Sequence, residues 1–193
     1  DIDAPEAWTI SEGDPSVIVA LLDDGVELIH PDLAQNLVFG YDATGLGSEG
    51  QCNVNDPHGT ACAGIIAAIK DNQIGISGIA PKCKVMPVRV GFSDTENNWL
   101  LMNEWAYNGF YWAIQHGASV YNNSWGGGSD SPLLNSAISD AVNLSRNGKG
   151  GVVLFSAGNS SYYQIDYPSS LPSVVSVGAS NRCDQRKLKA YTC

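Results

Sequence analysis

Basic residues are scarce in this sequence. Ten Lys and Arg stand against twenty Asp and Glu, for a formal net charge of −10. That sign excludes nucleic acid and anionic membrane as expected partners. Histidine is scarcer still, with three in the chain. The five cysteines, at 52, 62, 83, 183 and 193, form no CxxC pair, so a structural zinc site is not expected. No apolar run approaches the length of a membrane span, and no signal peptide is present. Internal repeats, low-complexity tracts and linkers are also missing. The chain begins at Asp1 without Met, as expected of a mature or trimmed product.

What is present is a single domain, residues 1–193, with 44% apolar residues and ample material for a core. An odd number of cysteines points to disulfides in an exported protein, with at least one thiol left over, and hence to a secreted location. Cys183 and Cys193 are close enough in sequence to close a local loop. Cys62, in an apolar stretch, reads as a buried thiol.

Val17 to Leu22 is a continuous apolar run of strand length, the pattern of a strand buried on both faces. It ends in Asp23-Asp24-Gly25. Asp-Gly is turn chemistry, but two carboxylates at the end of a buried strand are expensive unless something uses them. His30-Pro31-Asp32-Leu33 follows, then a Gly-rich loop from Gly40 to Gly50. Asn55-Asp56-Pro57-His58 opens polar and tight and then runs into small and apolar residues at helical spacing. His58 sits at that helix start, where its ring can face a cleft. A lone histidine is also read as a satisfied capping or core residue.

Further strands are expected at Val85–Val90, Val120–Asn123, Val152–Phe155 and Val174–Val177. Pro87 is an awkward fit for a central position. A helix is expected over 99–116, with Trp99, Met102, Ala106, Phe110 and Ala113 on one face and Gly117 as its stop. A second is expected after Ser131-Pro132, an N-cap followed by a first-turn proline. Strands alternating with helices imply a parallel α/β sheet. In such sheets ligands bind beyond the carboxyl ends of the strands. Asp23, Ser124 to Gly126 and Asn159 each follow a strand and are expected to converge there with His58.

Four pieces in order, Asp23-Asp24-Gly25, His58-Gly59-Thr60, Ser124-Trp125-Gly126 and Ser156-Ala157-Gly158-Asn159, resemble the subtilisin-like serine proteases, or subtilases. The doubled aspartate and Ser-Trp-Gly are particularly similar to the kexin-like branch and its secreted bacterial relatives. The resemblance implies a three-layer α/β sandwich around a mostly parallel sheet, and an Asp, His, Ser triad in that chain order. Asp23 would be the orienting carboxylate, in preference to Asp24, and His58 the general base. Asn159 would donate to the oxyanion. The family's nucleophile sits in a Gly-Thr-Ser motif that this sequence does not contain. The resemblance therefore covers the amino-terminal two-thirds of a catalytic domain, with the serine on a missing or separate segment as a required partner.

The same resemblance implies a peptide or protein substrate, with Ser124, Trp125 and Gly126 presenting an extended edge to it. Trp125 is expected either to wall a side-chain pocket or to pack internally. Asp166, just before Tyr167-Pro168, matches the floor of the primary specificity pocket and would favour a basic residue before the scissile bond; otherwise it is a solvated loop residue. No cofactor is implied for catalysis. Structural Ca²⁺ is implied, with Asp32 and, from the loop 71–76, Asn72, Ile74 and Ile76 as ligands. The alternative from a different class is a catalytically inactive subtilase-like module that binds peptides or partners.

Overall fold

The computed structural model describes residues 2–47, 49–160, 164–181 and 183–186. The chain folds as α1 (Ala4–Trp8), β1 (Ile18–Asp23), β2 (Tyr41–Asp42), α2 (His58–Ala67), β3 (Lys84–Arg89) and β4 (Gly91–Ser93). It continues through β5 (Trp99–Leu101), α3 (Asn103–Gln115), β6 (Val120–Asn123), α4 (Pro132–Gly148), β7 (Val152–Ser156) and β8 (Val175–Val177). Six strands form one parallel sheet in the order β2-β3-β1-β6-β7-β8. The strand order reverses at β1, which creates a crevice beyond its carboxyl end.

β1 reads as a continuous apolar run because both its faces are covered. Ala20 and Leu22 join the cluster built around Phe110 and Ala113 of α3 and Leu134, Ala137 and Ile138 of α4. Leu21 turns the other way, against Ala63 and Ala67 of α2. Helix layers on both faces of a parallel sheet give the three-layer α/β sandwich. Each fully buried leucine contributes roughly 1.5–3 kcal/mol, so the strand is anchored from two sides. Ser131 caps α4, its Oγ accepting from Leu134 N–H at 3.4 Å.

In a parallel sheet, residues in register share a face. Leu21, Asn122, Leu154 and Val175 are in register across β1, β6, β7 and β8, so all four look toward the α2 side. Near β1 that face is covered by α2. Farther out it is bare: Val152, Val175 and Val177 are 46%, 50% and 48% exposed.

Three expectations need correction. The stretch 99–116 is not one helix: Trp99–Leu101 pairs antiparallel with Gly91–Ser93, and α3 starts only at Asn103. Trp99 and Met102 are therefore exposed, while Ala106, Phe110 and Ala113 are buried. The lack of a side chain at Gly91 leaves room for the Trp99 ring, which favours the strand pairing over a longer helix. The Gly-rich loop contains β2, paired to Val88 and Arg89. Cys62 is half-buried rather than buried, and Cys52, Cys62 and Cys83 are free thiols. The proposed partner of Cys183, Cys193, lies outside the described residues. Pro87 fits because the carbonyls of Val85 and Arg89 point toward the β2 side, accepting from Val38 and Ala43. Pro87 shares that side by alternation, so its missing N–H faces the short edge strand rather than β1.

Candidate active site

β1, β6 and β7 are adjacent and parallel, so their carboxyl ends open on one edge. There a cleft of about 440 Å³ gathers Asp23, Asp24, His58, Ser124, Trp125, Gly126, Asn159 and Asp166. A larger hollow of about 880 Å³ lies on the outer side of α2, but it includes neither Asp23 nor His58. The smaller cleft is the candidate because the sequence-expected catalytic and substrate-binding residues meet in it.

Strand alternation puts Asp23 on the same face as Leu21, toward α2. Its Oδ1 lies 2.8 Å from His58 Nδ1. Asp23 is 2% exposed. Its Oδ1 also accepts from Asp24 N–H at 2.8 Å, while Oδ2 has no hydrogen-bond partner among the described residues. The His58 side chain is 57% exposed. Its Nε2 carries no hydrogen bond among the described residues. The Asp23 carboxylate first, and the Cys62 thiol at 4.0 Å second, push His58 up to about 11.

Asp24 does not touch the imidazole. Its Oδ2 accepts from the backbone N–H of His58 at 3.2 Å and its Oδ1 from that of Gly59 at 2.7 Å. Burial pushes this carboxyl up to about 7. The Gly59 N–H opposes that rise, and the charges of Asp23 and Asp56 add to it. Asp56, also buried, accepts from Ser93 N–H at 3.1 Å and from Asn53 Nδ2 at 3.0 Å, which fixes the turn leading into α2. The sequence alone reads Asp24 as a loop or neighbouring charge and gives Asp56 no role. The one signal available was the cost of a second carboxylate at the end of a buried strand.

Trp125 lies between the core and the cleft. Its indole Nε1 donates to Leu22 O at 2.7 Å and its ring meets Phe155 edge-on at 5.0 Å, so it packs inward. Its remaining surface lines the cleft. Ser124 Oγ accepts from Asn122 Nδ2 at 3.0 Å. Gly127 N–H donates to Tyr167 O at 2.7 Å, tying the 124–128 segment to the residues after Asp166. Asp166 is half-buried beside Gly158 on the cleft wall, where a Cβ on Gly158 would meet its Oδ2 at 2.6 Å. Asn159 lies exposed at the same end.

The expected calcium ligands form a separate group. Asp32 is buried, and its oxygens accept from Asn72 Nδ2 at 2.7 Å and Ile76 N–H at 3.0 Å. Gly75, at φ 56°, lets the loop close over the carboxylate where any side chain would strike it. The backbone carbonyls of residues 69–77 accept no hydrogen bond among the described residues. A buried carboxylate, an amide and unengaged carbonyls are hard oxygen donors and fit Ca²⁺, with the Asn72 amide turned to present its oxygen.

Residues 14–192 match the model of the subtilase family. The chain is similar to thermitase from Thermoactinomyces vulgaris, with 38% identity over 96% of this chain and 62% of that protein. It is 34% identical to a calcium-dependent protease from Trichormus variabilis, over 91% of this chain and 28% of that protein. The major intracellular serine protease of Bacillus subtilis is 32% identical over 92% of this chain and 55% of its own length. The chain thus spans less than two thirds of each of these relatives.

Proposed function

The chain belongs to the subtilase family, and we propose that it contributes the aspartate and histidine of a serine endopeptidase. The carrying observation is the Asp23–His58 pair, with Nδ1 engaged at 2.8 Å and Nε2 without a hydrogen bond among the described residues, beside an open cleft. A serine hydroxyl is a poor nucleophile at neutral pH and needs such a ring to take its proton. The nucleophile belongs to a segment outside this sequence, which holds no Gly-Thr-Ser motif. The bare apolar strip of Val152, Val175 and Val177 supports that reading, because a covering helix on the α2 side would lie next to His58. Covering would also dry the ring, and burial favours its neutral, proton-accepting form.

In this mechanism His58 Nε2 takes the serine proton as the hydroxyl attacks the scissile carbonyl, and returns it to the leaving amine. Asp23 holds the tautomer and stabilises the imidazolium. Asn159 donates its side-chain amide to the oxyanion. The 124–126 segment pairs with the extended substrate. Asp166 selects a basic residue before the scissile bond, since a half-buried carboxylate is best satisfied by Lys or Arg. The loop 71–76 and Asp32 hold a structural Ca²⁺, which stiffens the far end of α2.

Export from the cell completes the proposal, supported by the Cys183 and Cys193 spacing. Recovery of the protein from its host's medium with that disulfide formed would support it, and retention in the cytosol with both thiols reduced would refute it.

The test is peptide hydrolysis by the full-length polypeptide that contains these residues. Turnover of the peptide is expected, and an activated ester substrate should release its leaving group in a burst equal to the enzyme concentration, as an accumulating acyl-enzyme requires. A folded polypeptide that binds peptide in the cleft without cleaving it would instead favour the inactive binding module.

A further inference from the structure

The second carboxylate of Asp23-Asp24 has no part in the triad chemistry above, yet it is 3% exposed. An α-helix leaves its first N–H groups without internal partners. In α2 two of them, on His58 and Gly59, are taken by Asp24, 34 and 35 residues earlier in the chain. Pro57, which occupies the helix cap position, provides no side-chain cap. The lack of a Cβ on Gly59 allows the approach: one added there would lie 2.8 Å from Asp24 Oδ1 and 3.1 Å from Asp23 Cβ. One strand end therefore holds both the backbone of His58, through Asp24, and its ring, through Asp23.

We propose that Asp24 is a positioning residue: by gripping the backbone of His58 and Gly59 it sets the imidazole against Asp23. This rests on the protease reading of the same site. Asp24 is a costly way to cap a helix. A Ser or Asn cap leaves no charge to bury. Here burial opposes ionisation, and Asp23 and Asp56 face the same carboxyl as like charges, while the Gly59 N–H and then His58 favour the charged form. The thiol of Cys52 also faces it and is itself raised by burial. A carboxylate kept under those conditions indicates a task that a neutral cap performs less well. The charged form accepts two N–H bonds at once. The protonated form has a donor on one oxygen and releases one of them.

Two protons therefore switch the site off as pH falls, one on Asp24 near 7 and one on His58. Below both midpoints the logarithm of the rate of serine attack declines with a slope approaching two per pH unit.

The experiment uses the full-length polypeptide, wild type and Asp24→Asn. A fluorophosphonate probe, whose phosphorus the serine attacks with loss of fluoride, reads the labelling rate from pH 5 to 9, normalised to the labelled fraction. Amide exchange at His58 and Gly59 is followed over the same range. In Asp24→Asn the side chain still accepts from Gly59 but presents a donor to His58 N–H. Its labelling is expected to be roughly tenfold to a hundredfold slower, with the acid slope reduced to one. Wild-type amide protection at His58 and Gly59 is expected to fall as pH drops through about 7. An unchanged rate and slope in Asp24→Asn, or a wild-type slope of one, would overturn the proposal. If the variant does not fold, the wild-type slope and exchange decide. If the wild type is not labelled at all, the protease reading fails, and amide exchange at His58 and Gly59 still tests the grip: protection that does not depend on pH would refute it.

Discussion

Asp23 and His58 are 35 residues apart in the chain, and their side chains meet at 2.8 Å between Oδ1 and Nδ1. Two local facts produce this. Alternation along β1 turns Asp23 to the face that carries α2, and His58 is the first residue of that helix. The parallel sheet supplies the rest by opening its strand ends on one edge.

Asn159 is expected to act on the transition state rather than on substrate binding. Asn159→Ala in the full-length polypeptide should lower kcat on the order of a hundredfold to a thousandfold, with KM little changed. Steady-state kinetics on a peptide substrate check this. A large rise in KM at unchanged kcat would place Asn159 in ground-state binding.

Asp166 is expected to read the residue before the scissile bond. A peptide library should show a preference for Arg or Lys, and Asp166→Asn should reduce that preference at least tenfold without abolishing cleavage. Wild-type preference for Leu or Phe, or an Arg preference unchanged in the variant, would remove the assignment.

Calcium is expected to stabilise the loop over Asp32. Adding a chelator should lower the Tm of the wild type, and Asp32→Asn should lose most of that response. The readout is thermal unfolding with Ca²⁺ and with chelator, which does not depend on activity. Equal Tm values under the two conditions would mean that the site holds no ion.

The ion pair of His58 gives stability a definite pH dependence. Folding raises its value from 6.5 to about 11, because Asp23 favours the imidazolium. The folded state therefore holds a proton that the unfolded chain gives up between those values. The pair's contribution is whole below 6.5 and is lost as pH rises through about 11. Urea midpoints for wild type and His58→Gln should converge over that span. A gap that stays constant with pH would show that the pair is not formed.

The central strands were legible because burial on both faces leaves a continuous apolar run, as in Val17 to Leu22. The turn into α2 was legible because Asp-Pro-His precedes small residues at helical spacing. Elements made by tertiary pairing were not. Trp99–Leu101 became a strand only because Gly91–Ser93 lies opposite, and β2 is two residues long. The inward packing of Trp125 depends on a carbonyl 103 residues away, at Leu22. Asp24 was passed over for a similar reason. Its partners are backbone N–H groups, which no side-chain pattern advertises.

The most direct measurement is active-site labelling of the full-length polypeptide with a fluorophosphonate, mapped by mass spectrometry. One serine outside residues 1–193 should be labelled stoichiometrically in the wild type. His58→Ala should not label, and Asp23→Asn should label on the order of ten thousandfold more slowly. A folded wild type that takes up no label, or one labelled equally well without His58, would contradict the account.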